Sequence, residues 1–334
     1  MNEDSKQQFI SDTKTTKQNE QWIAGLFRSV IHAEEEFGKD LADMNADEVN
    51  KALASSDVIS SITIANRIPF VVRYKHWCAD HGFGALIISA DELNVDLSDN
   101  IRDTMVATPA SLSHALDMAM KPTNPDSAMY IYRAFLWMGF AGLYSDDAIK
   151  VRDSDVDFRQ RRILFNNRWY MIPDEGIEDL KRAARIESFC RIDTESGKIR
   201  HFRRSEGDLI MRGQNPRNEA LSDRQYVRST LTYVIADRFT SAGYSGMSFN
   251  RIRKSGIFFR TLQSELKGFP VNFYEVGHDD YIHTGKVETA GQTKQKILRR
   301  TILSYEKDYE AWKIAFETAL KEAFSVDKIP VSRK

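Results

Sequence analysis

Arginines crowd two short stretches of this sequence. Arg159, Arg161 and Arg162 fall within four residues, and Arg200, His201, Arg203 and Arg204 within five. Phe202 lies inside the second stretch, and Arg168 and Trp169 follow the first. A guanidinium presents a planar fork of donors that matches phosphate oxygens. Aromatic rings interleaved with cations make a surface suited to tracking a nucleic-acid backbone, with contacts to phosphates rather than to base edges. The plainer reading of the same residues is a solvated basic surface. Metal chemistry has little support: Cys78 and Cys190 stand far apart with no CxxC or Cys/His ligand spacing, and the neighbours Asp146 and Asp147 point apart. No metal and no other cofactor is expected, and both cysteines read as reduced thiols.

The charge balance sharpens the basic reading. The 334-residue chain carries a formal net charge of −1, but this average conceals two unlike halves. Residues 1–149 hold 12 Lys and Arg against 22 Asp and Glu, a net −10, whereas residues 150–334 hold 35 against 26, a net +9. Each cation placed beside a duplex backbone releases condensed counterions, so the second half is the one expected to meet nucleic acid. With 42% hydrophobic and 28% charged residues and no apolar run of spanning length, the composition is that of a globular protein, and the polar start MNEDSKQQ is unlike a secretory signal. A cytoplasmic location and no membrane contact are expected.

Hydrophobic periodicity gives the elements that would position these groups. Residues 1–14 read as a flexible tail. Trp22, Ile23, Leu26, Phe27, Val30 and Ile31 recur at spacings of three and four, predicting an amphipathic helix that ends near Gly38. Asn45 and Glu48 have the spacing of a capping box for a second helix, and Ile64, Ile68, Val71, Val72 and Trp77 predict a third, interrupted at Pro69 and closed by Gly82 and Gly84. Residues 15–86 thus form a small helical bundle, and the acidic, weakly periodic stretch 87–107 reads as a linker. Thr108 and Pro109 open a new helix, SAMYIYRAFLWMGFAGLY predicts a buried one, and RRILFN with NRWYMIP predicts antiparallel strands joined at Asn166 and Asn167. Further helical segments follow, so residues 108–326 are expected to mix helices with a small antiparallel sheet, before a short tail at 327–334.

Four local stretches, in this order, resemble the tyrosine-recombinase (phage-integrase) family over most of the chain. Residues 14–84 resemble its SAM-like core-binding domain, and FLWMGFAGLYSDDAIKVRDSDVDF resembles the stretch in which an apolar helix ends in Gly-Leu-Arg and leads to a strand. SFNRIRKSGIFF resembles the helix of the His-x-x-Arg motif, and VGHDDYIHTG resembles the Gly-His motif. The resemblance implies a mainly α protein with a small antiparallel sheet, in which a SAM-like bundle precedes a mixed α/β catalytic-fold domain. It also implies a chemistry: a tyrosine attacks a DNA phosphate to give a 3′-phosphotyrosine without metal. Two arginines then stabilise the developing charge, while a histidine and a hairpin lysine move protons.

Measured against that scheme, the implied catalytic set is Arg253, His278 and Tyr305, with Lys254 beside the arginine and Tyr309 as an alternative tyrosine. The first family arginine falls on Tyr144, the motif histidine on Asn250, and the ungapped nucleophile position on Val287. The hairpin lysine has no clear equivalent, although Arg168 stands near the turn. DNA contacts are expected from Arg161, Arg168, Arg200, Arg203, Arg204 and Lys254, and from a patch of Arg67, Arg73 and Lys75 on the third helix. The acidic N-terminal half would otherwise meet a protein partner or a second copy. The leading expectation is an integrase-like duplex-DNA-binding protein of a phage, mobile element or bacterial host, with strand cleavage lost or reduced. Two alternatives stand beside it: an active recombinase with an atypical site, and a structural or regulatory protein using the fold for protein contacts.

Overall fold

Asn45 and Glu48 do what their spacing predicts: the Glu48 amide donates to Asn45 Oδ1 and the Asn45 amide to Glu48 Oε2, each at 2.9 Å. Thr108 caps the helix at Pro109 in the same way, accepting from the Ser111 amide at 3.1 Å. Such pairs satisfy amide donors that the first turn of a helix leaves open. A computed structural model describes residues 3–13, 17–54, 60–192, 199–203, 207–211, 231–244, 246–285, 288 and 293–331. Its described residues are mainly helical, with a small three-stranded antiparallel sheet and a separate pair of strands.

The helices of the first third are α1 (Glu3–Asp12), α2 (Lys17–Phe37), α3 (Ala46–Ala54), α4 (Ser61–Asp80) and α5 (Ser98–Thr104). Then come α6 (Pro109–Ala119), α7 (Met129–Ala141), the short α8 (Ser145–Ala148), and strands β1 (Val156–Asp157), β2 (Arg162–Phe165) and β3 (Arg168–Met171). Helix α9 (Asp174–Arg185) precedes β4 (Ser188–Ile192) and β5 (Ile199–Arg203). The chain continues with α10 (Tyr233–Ser241), α11 (Phe249–Leu266), α12 (Tyr274–Thr284), α13 (Lys294–Ala315) and α14 (Glu317–Phe324). Among the described residues, no helix is long and apolar enough to cross a membrane.

Two compact units result: Met1–Ile101 with Asn272–Ala315 and Val331–Lys334, and Arg102–Val271 with Phe316–Pro330. Periodicity gives no break between 108 and 326, whereas α12 and α13 belong to the unit of the N-terminal helices. Asp308, on α13, accepts from the Ser61 amide at 2.9 Å and so caps the start of α4. The expected tail is also helical through Asp12. Phe9 of α1 is 1% exposed and meets Phe27, Tyr74 and Trp77 edge-on. Lys6 is buried beside it, its ammonium 2.5 Å from Glu34 Oε2, and Ser5 bonds the Tyr74 hydroxyl at 2.9 Å. Burial raises the Glu34 pKa despite the opposing hydrogen bond and charge of Lys6.

The second unit is built around α7, whose residues from Ile131 to Ala141 are all buried. Even Arg133 is inside, its Nε donating to Asp179 at 2.9 Å while the Trp137 indole donates to the same carboxylate oxygen at 2.8 Å. Helix α11 approaches α7 through Gly256, where a Cβ would lie 1.8 Å from the Phe140 carbonyl oxygen. The sheet has the order β1-β2-β3, all antiparallel. Its hairpin turns on Asn166 and Asn167, both left-handed at φ 47° and 59°, as a tight two-residue connection requires.

Candidate functional site

Within the second unit, the backbone-to-backbone contact at Gly256 brings one face of α11 against the C-terminal end of α7. Gly142 ends α7 in the left-handed conformation at φ 116°, and its amide and that of Leu143 return to Gly139 and Met138. This closure still leaves helix-end carbonyls facing α11. Two arginines, three residues before Gly256 and four after it, take them up. Arg253 Nε donates to the Gly142 carbonyl at 2.9 Å, and Arg260 Nη1 donates to the Phe140 carbonyl at 2.6 Å. Cations at the negative end of the α7 dipole are favoured electrostatically.

Tyr144 completes this cluster. The Arg253 guanidinium carbon lies 3.7 Å from the centre of the Tyr144 ring, a stacked cation–π contact, and Arg253 is only 7% exposed. Arg260 is half-buried, and its pKa is lowered to about 10, by burial first and then by the neighbouring charge of Arg253. No motif in the sequence marks Arg260. Its signal was the seven-residue interval from Arg253, two helical turns along one face, with a glycine between them. Lys254, next to Arg253, lies 5.7 Å over the Phe258 ring, and Asn250 is exposed in the first turn of α11.

His278 and Tyr305 belong to the first unit. His278, on α12, stacks on Tyr274 with 6.2 Å between ring centres. Tyr305, on α13, is 6% exposed; its hydroxyl donates to Asp280 Oδ2 at 2.7 Å and its ring stacks on Phe273. Tyr309 is fully buried, with Lys313 over its ring at 4.4 Å. Helices α12 and α13 come close enough at Gly277 that a Cβ there would lie 2.9 Å from Ile302.

The expected DNA-contacting residues fall into distinct surroundings. Arg168 is exposed at the start of β3. Arg161 is also exposed, in the left-handed conformation and paired with Asp174. Arg73 is exposed on α4, with its guanidinium 5.8 Å over the Phe9 ring. Lys75 departs from the expectation of a surface cation: it is fully buried, and its ammonium donates to the carbonyls of Leu41, Ala42 and Met44 at 3.0, 2.6 and 2.7 Å. Those three bonds use all its donors, leaving none for a phosphate. Arg200 and Arg203 lie on β5, opposite Arg191 and Ser188 in the strand register, and Arg204 and Val287 lie outside the described residues. Cys78 is a free, buried thiol. Among the described residues, no group of three or more His, Cys, Asp and Glu side chains is arranged to hold a metal ion.

Comparison with known proteins finds similarity at the N-terminal end. None of the curated proteins matches the chain. Residues 1–80 match the family model of the MrpR N-terminal core-binding domain, a phage integrase-like core-binding domain, and this similarity points to a DNA-binding, recombinase-related function.

Proposed function

We propose that this chain is an integrase-like, duplex-DNA-binding protein of a phage, mobile element or bacterial host, in which strand cleavage is lost or strongly reduced. In this reading the first unit carries the SAM-like core-binding bundle and the second a recombinase-type fold. The observation that carries the reading is the stack of Tyr144 on Arg253. A phenol stands where the resemblance expects the first phosphate-binding arginine, and it packs against the second. Arg260 adds a guanidinium nearby but donates to the end of α7. Removing one such donor from an active site typically costs a factor of hundreds in rate. Tyr305 is engaged with Asp280 and Phe273, contacts that suit a structural tyrosine. Binding through the basic second half needs none of the lost groups. The acidic N-terminal half is then a surface for a protein partner or a second copy, and the protein works in the cytoplasm.

The test is equilibrium binding to a duplex across a salt series, together with a nicked suicide substrate. Affinity that falls steeply with salt, is weakened by substitution of the exposed Arg168→Ala and is accompanied by no covalent adduct is the expected result. A covalent adduct abolished by Tyr305→Phe would establish the active-recombinase alternative instead. No duplex affinity even at low salt would leave only the use of the fold for protein contacts.

A further inference from the structure

The β2–β3 hairpin leaves one of its faces uncovered. In the register Leu164 opposite Trp169 and Arg162 opposite Met171, these four side chains share a face, while Ile163 and Tyr170 share the other. Ile163 is fully buried and Tyr170 packs on the core, so that second face is the inner one. On the outer face Leu164, Trp169 and Met171 are 39%, 48% and 52% exposed. Arg162 holds the indole in place, with its guanidinium carbon 3.8 Å from the ring centre and its Nε 3.5 Å from Asp157. Three large apolar side chains kept in water side by side, on a hairpin closed by a two-residue turn, form a surface suited to a partner.

The surroundings indicate what kind. Residues 158–172 contain four arginines and no carboxylate, and Asp157 and Asp174 on either side pair with Arg162 and Arg161. The hairpin tip presents Asn166, Asn167 and Arg168, all exposed. Apolar side chains rimmed by arginine and asparagine form the composition with which proteins enter the minor groove: the apolar groups press between base steps, and the polar groups meet groove acceptors and flanking phosphates. An apolar protein partner would be poorly matched to the exposed Arg159 and Arg168 beside this face.

We infer that the outer face of this hairpin, Trp169 with Leu164 and Met171, is a wedge that presses into a base step of duplex DNA from the minor groove, with Arg162 bracing the indole. The inference rests on the DNA-binding reading above and adds to it a deformation of the duplex. It gives different roles to neighbouring residues: Arg168 supplies salt-dependent affinity, and Trp169 supplies the kink.

The experiment uses the full chain and a 30-base-pair duplex with a central TA step, a step that unstacks easily. One base of the step is replaced by 2-aminopurine, and the ends carry a fluorescence-transfer pair. Expected on binding are a rise in 2-aminopurine emission and a shortened end-to-end distance. Trp169→Ala should abolish both and lower affinity about tenfold at an unchanged salt slope, as loss of one base–aromatic contact does. Trp169→Phe should retain part of each signal, and Arg168→Ala should reduce the salt slope by about one while keeping the kink. Trp169 and Met171 are half-exposed, so Met171→Ser serves as a second, independent variant of the same face. Duplex binding and kinking that are indifferent to Trp169→Ala and Met171→Ser would overturn the wedge and leave DNA binding standing. A self-association lost in Trp169→Ala at unchanged duplex affinity would likewise overturn it. Absence of duplex binding by the unaltered protein would remove the underlying reading together with the wedge.

Discussion

Arg253 lies over the ring of Tyr144, 3.7 Å from guanidinium carbon to ring centre, while its Nε donates to the Gly142 carbonyl. The residue at which the resemblance expects one arginine is thus in contact with the residue at which it expects the other. Tyr144→Phe keeps the ring and should cost little, whereas Tyr144→Ala removes the contact and should destabilise the protein by about 1 kcal/mol. Tyr144→Arg sets a second cation against a buried one. It is expected to be less stable than Tyr144→Phe and to form no covalent adduct on a nicked duplex. Urea denaturation of the three variants gives the ranking, and a Tyr144→Arg protein as stable as the unaltered one would contradict the packing role.

Gly256 is the point on which this cluster depends. A methyl group at that position would lie 1.8 Å from the Phe140 carbonyl oxygen, which is helix backbone and has nowhere to move without parting α7 from α11. Gly256→Ala should therefore cost about 3 kcal/mol or more, in the range of severe core overpacking. Gly268→Ala is the comparison: nothing lies within 4 Å of its Cβ, and only the left-handed φ of 86° opposes it, a cost of about 1–2 kcal/mol. Thermal denaturation of the two variants should show much the larger loss at Gly256.

How much of this was legible in the sequence follows from the range of each interaction. The caps at Asn45 and Thr108 and the turn at Asn166–Asn167 involve groups a few residues apart, and short-range spacing predicts them. Helix α1 escaped because two of its three buried residues are Ser5 and Lys6, whose partners Tyr74 and Glu34 lie far along the chain. Lys75 looked like a surface cation for the same reason: its partners are backbone carbonyls 31–34 residues upstream, which no residue type announces. Periodicity shows that α13 has a buried face but not that the face belongs to the unit of α4, a relation carried by Asp308 at Ser61. Of the arginine pair, Arg253 was found by resemblance to a motif. Arg260 was missed because a helix-end carbonyl, rather than a motif, receives it.

Tyr305 offers a direct contrast between a nucleophile and a structural residue. Its hydroxyl donates to the Asp280 carboxylate at 2.7 Å, a contact between α13 and α12 inside one unit. Tyr305→Phe keeps the stacking on Phe273 and loses that hydrogen bond, with an expected cost of about 1–2 kcal/mol. Duplex affinity should be unchanged. Chemical denaturation and a binding isotherm on the same variant check both halves, and a Tyr305→Phe protein of undiminished stability would argue against the structural role.

Lys75 makes stability depend on pH in a direction that can be worked out. Burial lowers its pKa to about 8, against the partial compensation of nearby Asp43, Cys78, Asp40 and Glu48. An unfolded chain would hold that proton up to about pH 10.4. Between these values the unfolded state binds more protons than the folded one, so the Lys75 contribution to stability grows as pH rises from about 8. Burial raises the pKa of Cys78 and of Tyr74, and these oppose the gain, the thiol from about pH 9 upward and the phenol from about pH 10, because the unfolded chain loses those protons first. The clearest window is therefore pH 8 to 9, where Lys75 should add up to about 1 kcal/mol. Lys75→Met leaves the Leu41, Ala42 and Met44 carbonyls without their donor and should be less stable at every pH. Its distinguishing mark is the slope. Urea denaturation at pH 7.5, 8.5 and 9 should show the unaltered protein gaining on Lys75→Met as pH rises, and parallel curves would mean that the buried ammonium keeps its ordinary pKa.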